Sequence, residues 1–145
     1  MEPRISLVSL GVDDLARAKR FYAALGWHGQ EVQETVFVQA GGLGLVLWGR
    51  EKLAADSGLS ADGPRGFGGI VLAHNVRTRP EVDAIVVAAR EAGATITRPA
   101  ATTFYGGYAA AFTDPDGHPW EIACNPGFPL AEDGSLTIPQ FPGAT

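Results

Sequence analysis

The same order of hydrophobic patterns occurs twice along this chain, and this repetition limits the folds open to it. Each half has one strand pattern, then one helical pattern, then three short strand patterns. Apolar residues at every second position are typical of a half-buried strand, and spacings of three and four residues are typical of an amphipathic helix. The repeat predicts an α+β fold built from two βαβββ modules.

The first half begins with a strand pattern at 5–12, followed by a helix that opens at Asp13 and Asp14. Acidic residues at this point are favoured by the positive end of the helix dipole. Gly26 is a natural C-terminal cap for the helix. We predict the three following strands at 27–33, 35–40 and 44–49, with a Gly41–Gly42 turn between the last two.

An irregular segment from Arg50 to Arg65 is interpreted as the linker between the halves, because it holds several Gly, Pro and Ser residues. In the second half, Thr78 and Glu81 form a capping-box pattern around Pro80, and Gly93 ends the predicted helix. The strands of this half are predicted at 69–76, 95–98, 107–113 and 118–124.

A tight turn at Asp114-Pro115-Asp116-Gly117 leads into the last of these strands. Proline presets φ, the aspartates accept nearby backbone N–H groups, and Gly117 tolerates a positive φ. The strand then carries a carboxylate, Glu121, among apolar neighbours. A charge in that setting requires a partner or a cavity to face.

Composition sets limits on partners and location. The chain has 145 residues, a formal net charge of −5 and one cysteine, Cys124. The acidic balance disfavours nucleic acids and anionic membranes, and no apolar run approaches the ~18 residues of a membrane span. The N-terminus lacks the pattern of a signal peptide. Because one cysteine excludes an internal disulfide, we expect a cytoplasmic protein.

Two motifs give the chain a family resemblance. The first is Val12-Asp13-Asp14-Leu15 with Phe21-Tyr22 and Leu25-Gly26-Trp27, and the second runs from Asp114 to Glu121. In this order they resemble the vicinal oxygen chelate superfamily, which includes glyoxalase I and the bleomycin-resistance proteins. The resemblance covers residues 4–125 and implies an incompletely closed mixed β-barrel around a cavity, with the helices outside. It divides a single domain into module one (4–50), a linker (51–65), module two (66–125) and a C-terminal tail (126–145).

The resemblance also implies where a metal would be held in the metal-dependent members. The four inward positions fall on Leu7, on Val46 or Leu47, on Gly69 and on Glu121. Only Glu121 offers a ligand atom, and one carboxylate does not hold a divalent ion against water. The three histidines, His28, His74 and His118, are interpreted as surface or structural residues. We therefore expect no metal and no other cofactor.

Strand alternation predicts the cavity lining. If Glu121 points inward, so do Pro119 and Ala123, and the first strands contribute further small or apolar residues. The loop holding Tyr105 and Tyr108 is predicted to form a lip. The predicted ligand-binding residues are Leu7, Ser9, Leu47, Trp48, Gly69, Tyr105, Tyr108 and Glu121.

Several functions are consistent with such a cavity, and the sequence leaves open whether the protein is an enzyme. The first hypothesis is a protein that binds or sequesters an aromatic or amphipathic small molecule. The second is a metal-free isomerase, epimerase or lyase with Glu121 as general base, its pKa raised by burial, and Tyr105 or Tyr108 stabilising an oxyanion. The third is a metal-dependent lyase or dioxygenase with atypical ligands. The resemblance implies a homodimer.

Overall fold

The computed structural model describes residues 1–63 and 65–141. Its helices and strands follow the predicted order, with one additional helix after the first module. They are β1 (Leu7–Val12), α1 (Leu15–Ala24), β2 (Gln30–Val32), β3 (Thr35–Ala40), β4 (Leu43–Gly49), α2 (Arg50–Asp56), β5 (Leu72–Asn75), α3 (Arg79–Ala92), β6 (Thr95–Thr102), β7 (Tyr108–Thr113) and β8 (Pro119–Cys124).

The strands form two mixed four-stranded sheets of identical topology. The strand order is β1-β4-β3-β2 in the first sheet and β5-β8-β7-β6 in the second. The first strand of each module runs parallel to the last, and the remaining pairs are antiparallel. The two sheets are not closed into a complete barrel, as the family resemblance implies for this α+β fold.

Helices α1 and α3 begin and end where the sequence places their caps. The Asp14 carboxylate accepts the Arg17 N–H at the start of α1, and Gly26 follows its end with a φ of +86°. At α3, Thr78 and Glu81 form the predicted capping box, and Gly93 adopts a left-handed φ of +109°. Both helices then bury an apolar stripe against the sheets.

Helix α2 corrects the interpretation of 51–65 as an irregular linker. Its sequence, Arg-Glu-Lys-Leu-Ala-Ala-Asp, contains no glycine, proline or β-branched residue, so its helix propensity is high throughout. The glycines and serines that suggested a linker lie beyond its end, in 57–63. These glycines and serines suggested a loop, and the short helical run before them has no side-chain cap that would indicate the start of a helix.

Two predicted strands in other places are shorter in the structure. The strand predicted at 27–33 occupies only Gln30–Val32. The strand predicted at 69–76 begins at Leu72, because Gly69 adopts a φ of +81° that is incompatible with an extended strand. In contrast, β6 continues to Thr102, past the predicted end at Arg98, with register shifts around Arg98.

The core lies between the two sheets and helices α1 and α3. Its most completely buried large side chains are Phe21 and Tyr22 from α1, Val82 from α3, and Leu47 and Phe112 from the sheets. Phe21 packs edge-on against both Tyr22 and Phe112, so aromatic residues of both modules share one core. Burial of side chains this large supplies most of the stabilisation of the module pair.

The Asp114–Gly117 turn fastens module two to module one. The Asp116 carboxylate accepts the Asp13 N–H and the Arg17 Nη2–H, both at 2.8 Å. The Tyr22 hydroxyl donates to the Asp114 carboxylate at 2.7 Å. His118 Nε2 lies 2.8 Å from the Gly11 carbonyl oxygen. We call this set of contacts the module clasp.

The C-terminal segment folds back on module two. Leu130 and Leu136 form an isolated β-bridge, and the Arg77 guanidinium donates to the carbonyl oxygens of Ala131 and Glu132. Ile138, an apolar residue of this segment, stays largely exposed. Across the described ranges, none of the helices has the length and apolar character required to cross a membrane.

Candidate ligand-binding site

The first sheet presents an open face on the side away from the helices. Alternation sends Leu10, Val12, Val36 and Val38 into the core, and leaves their neighbours on the other face. Strand pairing aligns these neighbours into cross-strand rows, with Ser9 opposite Val46 and Val46 opposite Phe37. In the next row Gly11 and Thr35 both pair with Trp48.

Helix α2 and the segment that follows it form a wall beside this face. They leave an open cavity of about 790 Å³, which is within the ~300–1,000 Å³ of typical ligand pockets. We call it the module-one cavity. Its lining residues are Leu7, Ser9, Gly11, Thr35, Phe37, Val46, Trp48, Arg50, Leu53, Ala54, Asp56, Ser57, Leu59, Ser60 and Ala61.

The floor of the module-one cavity is apolar and partly aromatic. Leu7 and Phe37 are 57% and 46% exposed, although both are large apolar side chains in strands. Val46 and Trp48 lie beside them. Polar groups are confined to hydroxyls and to two charged residues, Arg50 and Asp56, on α2. An apolar floor with few polar groups at the margin is typical of a small-molecule site.

Three of the predicted ligand-binding residues, Leu7, Ser9 and Trp48, line this one cavity. Leu47 lies on the opposite face of β4, where it is 0% exposed in the core. The neighbouring residue Val46 occupies the cavity side. A shift of one residue moves a strand side chain to the other face, so the alternative between positions 46 and 47 is resolved by the pairing register.

Glu121 lies on the open face of the second sheet and is not a lining residue of the module-one cavity. Its carboxylate accepts a hydrogen bond from Arg98 Nη2 at 3.0 Å, and both side chains are about two-fifths exposed, at 37% and 45%. Strand pairing surrounds it with Ala73 and Ala111. This arrangement satisfies the charge of Glu121 within the chain.

The other predicted site residues are dispersed. Gly69 lies outside β5, and Tyr105 lies in the exposed β6–β7 hairpin against Phe104. Tyr108 is turned towards α3, where its hydroxyl donates to the Asp83 carboxylate and Arg79 stacks on its ring. The hydrogen bond to Asp83 raises the pKa of the Tyr108 hydroxyl. Neither tyrosine is a lining residue of the module-one cavity.

The residues at the positions expected for a metal do not fit one. Leu7, Val46 and Gly69 have no side-chain ligand atom, and the carboxylate of Glu121 is paired with Arg98. Within 1–63 and 65–141, no three His, Cys, Asp or Glu side chains converge in a group able to hold a metal ion. The chain by itself therefore assembles no metal centre of the expected type in its described part.

The histidines lie at the module junction or beside it. His118 belongs to the module clasp, and His74 packs edge-on against Trp27. Burial lowers the pKa of the His74 imidazole. His28 and His74 also line a second cavity, of about 1030 Å³, between the modules and the C-terminal segment.

Several polar side chains of this second cavity are engaged within the chain. Arg77 donates to carbonyl oxygens of the C-terminal segment, and Gln39 donates to those of Gly41 and Leu43. Glu81 is held by the capping box of α3. The second cavity therefore lies between the modules with Arg77, Gln39 and Glu81 already engaged in contacts within the chain.

Sequence reasoning missed the wall of the module-one cavity. Arg50, Leu53 and the residues from 57 to 61 were assigned to a linker, so they were not considered as lining residues. The available signal was the uninterrupted helical run after β4, which places Arg50 and Leu53 one turn apart on one face of α2.

Comparison with known proteins agrees with the observed fold. The family model of the glyoxalase/bleomycin resistance protein/dioxygenase superfamily matches residues 4–122. No curated protein matches the sequence closely enough to add to this result.

Solved structures show the same relationship. The chain is 36% identical to a glyoxalase-related enzyme from Fulvimarina pelagi, with a TM-score of 0.85 over 93% of this chain and 97% of that one. A hypothetical protein from S. aureus is 27% identical, with a TM-score of 0.75 over 85% and 94%. A lactoylglutathione lyase from Agrobacterium tumefaciens, at 20% identity and a TM-score of 0.62 over 83% and 92%, shares the fold.

Proposed function

The chain belongs to the glyoxalase/bleomycin resistance protein/dioxygenase superfamily, and within it we propose that the protein binds an aromatic or amphipathic small molecule in the module-one cavity. The observation that carries this proposal is the open apolar face of the first sheet. Leu7 and Phe37 are exposed there, and Trp48 is half-buried beside them, next to a wall formed by α2. Large apolar side chains on an accessible concave surface favour a ligand with an apolar body.

Binding without chemical change is favoured over metal-free catalysis. A general base must lie within hydrogen-bond reach of the proton that it removes. Glu121 is paired with Arg98 on the other sheet. Among the described residues, the module-one cavity is lined by no histidine, cysteine or tyrosine, and its one carboxylate, Asp56, is exposed to water at its margin. The metal-dependent alternative is not favoured either, because three of the expected positions lack ligand atoms.

The proposal includes a homodimer in the cytoplasm. The homodimer is supported by exposed apolar residues that do not line the module-one cavity, among them Phe67, Ile70 and Val71, since a second copy would cover such a surface. The cytoplasmic location is supported by the single cysteine, which cannot form an internal disulfide. Light scattering during size-exclusion chromatography measures the oligomeric state directly, and a monomer at micromolar concentration would contradict the homodimer.

The test of the binding function is a screen of aromatic and amphipathic compounds by calorimetry and thermal shift. The protein is purified without a histidine tag, and its metal content is measured before the screen. We expect saturable binding that is weakened at least tenfold in Phe37→Ser. Val32→Ser is the matched control, because Val32 is a similarly exposed apolar strand residue that does not line the module-one cavity.

Mass spectrometry of the recovered compound separates binding from catalysis. Recovery of unchanged compound agrees with the proposal, and conversion to a product would replace it with an enzymatic function. Equal affinities of wild type, Phe37→Ser and Val32→Ser would exclude the module-one cavity as the site. One tightly held metal ion for each chain would show that ligands outside the expected positions build a metal centre.

A further inference from the structure

We propose that the ligand of the module-one cavity is an anion, an aromatic carboxylate in its simplest form, and that Arg50 is its counter-ion. This inference rests on the proposed binding function and adds the charge of the ligand. Two charged residues line the cavity. They are Arg50 and Asp56, at the two ends of α2. At a rise of about 1.5 Å per residue they lie about 9 Å apart along the helix axis, so a small ligand meets them separately.

Arg50 differs from most arginines of the described chain in having no partner there. Arg17, Arg65 and Arg98 each form an ion pair with an aspartate or glutamate, and Arg77 donates to two carbonyl oxygens. Within 1–63 and 65–141, Arg50 takes part in no side-chain hydrogen bond or ion pair, and its Nε atom is buried without an acceptor. A partly buried guanidinium without an acceptor costs free energy that an anionic ligand would offset.

Two acidic residues beside α2, Asp13 and Glu34, already have partners, and Asp56 at the far end of α2 is exposed to water. Asp13 is close enough for Arg50 to contribute to the lowering of its pKa, but the main cause is a hydrogen bond from Arg65, which grips both carboxylate oxygens. Glu34 pairs with Lys52, the other cation of α2. These internal pairings leave Arg50 as the cation on the cavity wall that has no counter-ion in the described chain.

The backbone holds Arg50 in a defined place. It follows Gly49, the last residue of β4, and lies directly over β1, where a Cβ atom on Gly11 would stand 3.1 Å from the Arg50 Cα. The guanidinium presents a planar fork of donors that matches a carboxylate. A carboxylate paired with Arg50 places the apolar body of the ligand on the floor formed by Phe37, Val46 and Trp48.

The net charge of the protein opposes the binding of an anion. The chain carries a formal net charge of −5, so its overall field attracts cations and repels anions. A preference for an anion therefore has to come from a local cation. Three probes of one shape separate these effects: 2-naphthoate, its neutral amide 2-naphthamide, and the cationic 2-naphthylmethylammonium ion.

The test is calorimetric titration of the full-length protein with the three probes, in wild type and in Arg50→Met, Arg50→Lys and Arg20→Met. Arg20→Met is the control, because it makes the same change of residue and charge as Arg50→Met. It does so at an exposed position of α1 that does not line the cavity. We expect 2-naphthoate to bind wild type about 10-fold to about 100-fold more tightly than 2-naphthamide, the range for a hydrogen bond to a charged group. Arg50→Met should abolish this difference, Arg50→Lys should retain part of it, and Arg20→Met should leave it unchanged.

The outcomes distinguish this inference from the function on which it rests. If the three probes bind wild type with equal affinity, or if Arg50→Met keeps the preference for 2-naphthoate, the assignment of an anionic ligand is overturned and the cavity keeps its binding function. If the cationic probe binds best, the ligand has the opposite charge. If none of the probes binds wild type at millimolar concentration, the proposed binding function fails and this inference fails with it.

Discussion

Substitution of Asp116 in the module clasp tests how the two modules are held together. The Asp116 side chain is 2% exposed, and its carboxylate joins two groups of module one, the Arg17 guanidinium and the Asp13 N–H. Replacement by alanine removes both hydrogen bonds and the ion pair with Arg17. The cost combines an ion pair with a partly exposed cation and one backbone hydrogen bond.

The expected loss in the free energy of unfolding depends on how far the Arg17–Asp116 pair is exposed to water. Because the Arg17 side chain is 42% exposed, water screens the pair, and its contribution belongs near ~1 kcal/mol rather than the ~3–5 kcal/mol of a fully buried pair. The Asp13 N–H adds about 1 kcal/mol. We expect Asp116→Ala to lower the free energy of unfolding by about 2 kcal/mol, and Asp116→Asn, which keeps an acceptor for Asp13, by about 1 kcal/mol.

The assay is urea denaturation followed by tryptophan fluorescence, because Trp27 and Trp120 contact each other across the module junction. Glu91→Ala is the control, since Glu91 is an exposed acidic residue of α3 and its loss should change the free energy by less than ~0.5 kcal/mol. Arg17→Met, alone and combined with Asp116→Asn, measures the coupling energy of the pair. If Asp116→Ala and Glu91→Ala have equal stabilities, the clasp does not stabilise the module pair and the reasoning is refuted.

Three further predictions concern single side chains. Tyr22→Phe removes the donor to the buried Asp114 carboxylate and should cost about 2 kcal/mol in urea denaturation, whereas Tyr105→Phe in the exposed hairpin should cost less than ~0.5 kcal/mol. Burial lowers the pKa of His74 below 6.5, so as the pH falls the unfolded chain binds this proton before the folded chain does. The free energy of unfolding should therefore fall as the pH drops below about 6.5. His74→Gln should reduce this pH dependence, measured between about pH 7 and pH 5. Glu121→Gln should change the affinity for 2-naphthoate by less than about twofold; a loss of tenfold or more would place Glu121 in the site after all.

Local chemistry allowed the sequence to predict most of the fold. Helix α3 begins at the capping box of Thr78 and Glu81 and ends at Gly93. Both signals act on backbone groups a few residues away, so they can be recognised in the sequence without knowing the tertiary structure. The Asp114–Gly117 turn was legible for the same reason. Its role in the module clasp was not, because the partners Asp13 and Arg17 lie about a hundred residues away, at separations of 103 and 99.

The candidate site could be predicted only in part, for two physical reasons. Alternation identifies which residues of a strand share a face, but the choice between Val46 and Leu47 depends on pairing with β1 and β3. The wall depends on α2, a short uncapped helix whose position is set by packing over Gly11 and not by its own sequence. Leu7, Ser9 and Trp48 line the module-one cavity, and their role in binding a ligand stays a prediction.

The two modules have the same topology, but their open faces differ in a way that bears on the ligand. The row Ser9–Val46–Phe37 of the first sheet corresponds in position to the row Ala73–Glu121–Ala111 of the second. The first row offers apolar bulk for a ligand to contact, whereas alanines on the second offer little.

The two open faces also differ in how their charges are paired. The second face carries a carboxylate, but Arg98 neutralises it within the chain. The first face carries no charge on its strands, and its wall brings Arg50, which has no counter-ion in the described chain. The other charged lining residue, Asp56, is exposed to water, whereas Arg50 is partly buried. Apolar contact area and a partly buried charge without a counter-ion therefore coincide on module one, and that charge is positive. An amphipathic anion satisfies both features at once, whereas a cation of the same shape satisfies only the first.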